Sequence, residues 1–243
     1  MKSILRKIID LTINIKVKFN PIIFLLITLV FNSLNYFTQN ATFRSVSSGS
    51  WGTSVGSPGS PWAIVSGSDV DGIPDLTDTV EILNSHTIDV LSSSNTSLAA
   101  LRLNNGGVLN LNPSYNLVFY NYGTTSIFNG TVNNAGTLWF ARGTNIEGTG
   151  TITSADVLIQ YYNTTLNSDL TFNGTIVLSA SGTLTISSTG NLTLNGPIRT
   201  GNGSSVINNG TITVNTSSFF TLASFPSTTS LFSSNGNIVW NNT

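Results

Sequence analysis

The sequence predicts an all-β fold in which the chain winds as a parallel β-solenoid behind a loop-rich lead segment. Three observations predict it. Short runs alternate apolar and polar residues, a glycine opens most of these runs, and the runs recur at a loose period near twenty. No window beyond residue 78 carries apolar residues at helical spacing.

The chain begins with Lys2, Arg6, Lys7, Lys16 and Lys18, then an apolar stretch from Pro21 to Phe31, then polar residues to Asn40. An apolar run of about ten residues suits the core of a signal peptide and falls short of the roughly twenty that span a bilayer. Residues 1–40 are therefore expected to be a signal peptide cut between Phe37 and Ala41, with an uncleaved membrane anchor as the alternative. In both cases the remainder is exported, to the medium or the cell surface, and touches a membrane only through this leader.

Residues 41–78 hold Trp51, Trp62, Pro58, Pro61 and Pro74 in runs such as SVSSGSWGTSVGSPGSPW. Glycine and proline at this density prevent a long strand or helix. The segment is expected to be a loop-rich lead whose tryptophans cover the open end of a core. Large aromatics in Gly/Ser loops also bind sugars, so Trp51 and Trp62 are candidate carbohydrate contacts.

From Thr79 to the last residue the pattern is that of solenoid repeats. TVEIL (79–83) and HTIDV (86–90) alternate, with Asn84-Ser85 as a turn between them. ALRLN (100–104), GVLNL (107–111), NLVFY (116–120), GTLWF (136–140), GTITS (150–154), DVLIQ (156–160), GTIVL (174–178), GTLTI (182–186), GNLTL (190–194), GTITV (210–214) and GNIVW (236–240) follow. Starts at Gly107, Gly130, Gly150, Gly174, Gly190, Gly210 and Gly236 are 23, 20, 24, 16, 20 and 26 residues apart. Glycine is expected there because the chain must turn, often with positive φ. Leu109, Leu111, Leu138, Phe140, Ile176, Leu178, Leu184, Ile186, Leu192, Leu194, Ile212 and Val214 should stack inward, with Thr183, Thr185, Thr193, Thr211 and Thr213 outward. Asn-Gly also marks hairpins, so antiparallel pairing stays open as the alternative.

The lead and first repeats resemble a known pattern. Ser48-Gly49-Ser50-Trp51, Trp62, Asp71 to Asp75, Asp78, Val80, Ile82, Ser85-His86, Ile88 and Val90 match the start of exported proteins of Bacteroidetes-type bacteria. That start is similar to the domain named for its eight glycines. The resemblance implies a right-handed parallel β-helix in a large surface or secreted protein, acting in adhesion or polysaccharide contact. Such relatives run to many hundreds of residues, so the chain is expected to be truncated and its solenoid incomplete at the C-terminus.

Composition narrows the chemistry. Only 8% of residues are charged, against roughly a quarter in ordinary globular proteins. Beyond residue 40 four arginines face nine carboxylates, a net charge of −5 that excludes a nucleic-acid surface. There is no cysteine for a disulfide or thiolate metal site. The one histidine, His86, shares a strand face with Ile88 and Val90 and reads as packed or turn-bonded. Beyond residue 90 the carboxylates are Glu147, Asp156 and Asp169, with gaps too short to stack coil on coil.

No enzyme and no firm cofactor are expected, and the leading reading is a structural, adhesin-like solenoid that contacts polysaccharide or other cells. The alternative is a polysaccharide-degrading lyase or glycosidase, or its truncated remnant. One further candidate is DVDGIPDLTD (69–78), where Asp69, Asp71, Asp75 and Asp78 could offer oxygens to calcium around a bend at Gly72. The same stretch also reads as the boundary between the lead and the first repeat.

Overall fold

Each strand from Thr79 to Val214 pairs in parallel with the strand one coil later, its registered partners lying 19 to 26 residues ahead. The computed structural model describes residues 40–91, 96–201, 203–217, 219–222 and 231–241; among them there is no helix. The chain is a β-solenoid, and the leader expected at residues 1–40 lies, but for Asn40, outside the described residues. Among the described residues from Thr79 onward successive strands form no hairpin: Thr79–Ile82 and Thr87–Val90 pair with Ala100–Leu103 and Val108–Leu111, not with each other.

The coils have three faces. The first stacks Thr42–Ser45, Thr79–Ile82, Ala100–Leu103, Thr125–Phe128, Asn145–Glu147, Asn163–Leu166, Thr183–Ile186, Ser205–Asn208 and Leu231–Ser234. The second stacks Gly49–Ser50, Thr87–Val90, Val108–Leu111, Asp169–Phe172, Asn191–Leu194, Thr211–Val214 and Asn237–Trp240. The third stacks Thr96–Leu98, Asn116–Phe119, Thr175–Ser179, Ile198–Thr200 and Phe220–Leu222. Two long strands, Thr131–Phe140 and Thr151–Gln160, run round the corner and serve the second and third faces together.

Alternation sets the core. Every residue expected inward, from Leu109 to Val214, is buried, and Thr183, Thr185, Thr193, Thr211 and Thr213 point outward at intermediate exposure. A buried leucine or isoleucine column contributes about 1.5–3 kcal/mol per side chain. Several first-face strands bury a polar residue instead: Ser126, Thr164 and Asn208. Asn208 is fully satisfied in place, donating to Ser234 Oγ and the Asn237 carbonyl while accepting from the Gly210 N–H.

The role of the glycines differs from the expectation. Gly107, Gly130, Gly150, Gly190, Gly210 and Gly236 are not among the glycines with positive φ. They form two short stacks in which the coils nearly touch. A Cβ on Gly150 would lie 2.1 Å from the Gly130 carbonyl oxygen, and one on Gly130 2.2 Å from that of Gly107. Close approach between coils, not a left-handed turn, selects glycine there. Gly174 belongs to a different corner, ahead of Thr175–Ser179, which explains the uneven 24- and 16-residue gaps around it.

The lead segment is more ordered than its composition implies. Thr42–Ser45 continues the first face against Thr79–Ile82, and Trp62–Ser66 folds back antiparallel on its other side. This antiparallel strand is the last of the first face at that end. The Trp51 and Trp62 rings meet edge to face at 5.3 Å, and Phe43 packs on Trp62.

Candidate functional site

The two tryptophans nominated as carbohydrate contacts are each only 3% exposed. Trp62 donates its Nε1–H to the Trp51 carbonyl and Trp51 donates to the Pro74 carbonyl. Neither ring offers a face on which a sugar could stack, so they act as the plug of the core's first end.

The acidic corner is a set of turns closed by side chains. Asp69, Asp75 and Asp78 bring carboxylate oxygens within 4.8 Å of one another, and Asp71 is not part of that group. Asp78 is fully buried and accepts from the backbone N–H groups of Ala41 and Asp75. Asp69 accepts from Gly72 N–H and Asp71 from Ile73 N–H. Burial pushes the Asp78 carboxyl up to about 6, helped by the neighbouring Asp75 and Asp69 charges and opposed by its two N–H donors. Burial raises Asp69 as well. Each aspartate thus spends oxygens on backbone donors, which fixes the boundary between lead and first coil.

His86 is a structural pair. Its Nδ1 lies 2.8 Å from Ser45 Oγ, which also accepts from the Leu83 N–H. Which of the two donates follows the histidine tautomer, and at 0% exposure Ser45 meets no substrate. Glu147, Asp156 and Asp169 sit in strands of the first, third and second faces respectively and do not converge. Arg44 binds Glu81 at 2.7 Å. Burial would raise the Glu81 carboxyl, but hydrogen bonds from Arg44 and Asn104 and the charge of Arg102 hold it below its ordinary value.

The site that sequence reading missed lies at the corner between the third and first faces. There Tyr120, Trp139, Ala141, Arg142, Tyr161, Tyr162, Ala180 and Ser181 line an open groove of about 640 Å³. Tyr120, Tyr161 and Tyr162 are 40%, 58% and 43% exposed, and Tyr122, 74% exposed, meets Tyr162 edge to face at 5.8 Å. The Arg142 guanidinium stands 4.6 Å over the Tyr120 ring. The Trp139 ring N–H is covered and finds no acceptor among the described residues. The groove crosses four successive corners, about 14 Å along the axis at the usual strand spacing.

Backbone strain gathers at this groove. Among the described residues four non-glycine positions have positive φ: Ser85, Tyr161, Ala180 and Ser181. Three of them line the groove. A left-handed tyrosine costs on the order of 1–2 kcal/mol, and such strain clusters where function requires it.

The third face also differs outside the groove. Its outward column runs Val118, Trp139, Leu158, Val177, Arg199 through the register, where the second face presents threonine and asparagine. The signal was available in the sequence: Leu138 and Phe140 inward place Trp139 outward, and one period separates Tyr120 from Ala141-Arg142 and these from Tyr161-Tyr162. No protein-family model, curated protein or solved structure matches the chain.

Proposed function

We propose that this chain is an exported, non-catalytic β-solenoid of the secreted or surface-attached kind that holds a polysaccharide along the Tyr120–Ser181 corner. The observation that carries the reading is the groove of exposed tyrosines crossing four coils, three of whose lining residues, Tyr161, Ala180 and Ser181, are left-handed. Flat aromatic rings with a polar tip suit sugars, because the apolar face of a pyranose stacks on the ring while its hydroxyls stay wet. A groove lined by four successive coils offers the length to hold several residues of a polymer. Export rests on the basic and apolar leader, and surface display on the resemblance of the Asp71–Asp78 region to surface proteins.

The test is affinity electrophoresis of the full chain in gels cast with a panel of soluble polysaccharides, alongside an assay for new reducing or unsaturated ends. Retardation by at least one polymer, lost in Tyr161→Ala with Tyr162→Ala, and no release of ends, is the expected result. Release of ends in that assay would replace this reading with the enzymatic one.

A further inference from the structure

Resting on the polysaccharide reading, we propose that the polymer held at this corner is anionic, a chain of uronate or sulfated sugars recognised by Arg142 with Arg199 on the adjoining third face. The argument starts from charge. Beyond residue 40 the chain carries a net −5, so most of its surface repels an anionic polymer. The cations that remain are unevenly used. Arg44 is bound to Glu81, and Arg102 lies beside the same glutamate in the register. Arg142 and Arg199 are exposed, and neither has an ion-pair partner among the described residues.

Arg199 belongs to the third face and Arg142 to the corner where that face ends. Arg142 lines the groove, which contains no carboxylate. Arg199 ends the apolar outward column that begins at Val118 and passes through Trp139. Asp156, the one carboxylate in this face's strands, lies four residues before Gln160, about 13 Å from the groove's end of its strand. Stacking on Tyr120 preorganises the Arg142 guanidinium, and its N–H donors make no hydrogen bond among the described residues. A fixed, unspent planar fork beside stacking rings matches a sugar that carries a carboxylate or sulfate. A neutral sugar would leave that donor set unmatched.

The experiment compares polygalacturonate with its fully methyl-esterified form, which has the same backbone without the charge, and dextran sulfate with dextran. Calorimetry with the full chain at low salt is expected to show binding at least ten-fold tighter for one or both charged polymers. The pair that shows the larger ratio identifies carboxylate or sulfate as the recognised group. Arg142→Gln, at an exposed position that leaves the core intact, is expected to lower affinity for the charged polymer ten-fold or more, with Arg199→Gln as a second, smaller loss. Equal binding of charged and neutral forms, or an Arg142→Gln chain that binds like wild type, overturns the anionic assignment and leaves the polysaccharide reading standing. Failure of all four polymers and of the wider panel overturns both.

Discussion

Asn195 donates its side-chain amide to Asn173 Oδ1 at 2.5 Å, one coil back, and accepts from the Asn215 amide at 2.8 Å, one coil on. The column continues through Asn215 to Asn241, and its earlier part runs Asp89, Asn110, Asn133, Thr153 with the same kind of bond at each step. Asn110, Asn133, Asn173, Asn195, Asn215 and Asn241 are therefore rungs of side-chain ladders along the second face. Asn195→Ala removes two of its bonds and is expected to cost about 1 kcal/mol. Asn195→Asp keeps the acceptor for Asn215 and loses less. Urea melts of both variants read the difference.

Gly150→Ala should be far more harmful than its size implies. The added Cβ meets the Gly130 carbonyl oxygen at 2.1 Å and that of Phe128 at 2.7 Å, both backbone atoms that cannot swing aside. Forcing the coils apart is expected to cost about 3 kcal/mol or more. Gly52→Ala, with open space around it and ordinary φ, should stay within about 0.5 kcal/mol of wild type. Thermal melts side by side decide it.

The Asp78 corner makes stability depend on pH in a stated direction. Burial lifts this carboxyl from its ordinary 3.8 to about 6 in the fold. Between those values the folded state holds more protons than the unfolded one, so stability falls as pH rises through the window. The loss is about 1–2 kcal/mol after allowing for screening by solvent above the corner. Asp78→Asn should flatten the slope while weakening one of the two backbone bonds. A cation bridging Asp69, Asp75 and Asp78 would favour their ionised forms, so the same melts in millimolar calcium test the metal reading of the loop. A slope unchanged by calcium removes that reading.

Tyr161 offers a separation of stability from binding. Its φ of 66° is a conformation that glycine adopts freely. Tyr161→Gly is expected to stabilise the chain by about 1 kcal/mol, since the strain disappears and the side chain is largely exposed. Tyr161→Ala keeps the strained backbone and should leave stability near wild type. Both lose polysaccharide retention. A destabilised Tyr161→Gly would show that the ring packs for the fold and does not serve the groove.

Much of the architecture was legible because alternation and period survive in the sequence. Strands such as GTLTI and GTITV announce themselves by inward leucine, isoleucine or valine. Thr125–Phe128, Asn163–Leu166 and Ser205–Asn208 do not, because each buries a serine, threonine or asparagine where the pattern asks for an apolar residue. Those strands exist because their neighbours above and below supply the ladder, a tertiary effect that local reading cannot weigh. The groove was hidden for a related reason. Tyr120, Arg142 and Tyr161 stand at the ends of separate runs and become neighbours only after the coil length is applied to the corners as well as to the strands. Of the two readings the lead tryptophans allowed, covering the open end of the core is the one their burial supports, with the two rings packed edge to face and Phe43 against Trp62.

The asparagine column and the backbone ladders share one property: their hydrogen bonds join a coil only to the coils directly above and below it. A pull along that direction loads one rung at a time instead of shearing many together. Stretched end to end, the rod is therefore expected to yield by peeling single coils at low force. Each released turn lengthens the tether by about twenty residues of extended chain, roughly 65–70 Å. A polymer gripped at the tyrosine corner would be held on a spring that lengthens in steps before it lets go.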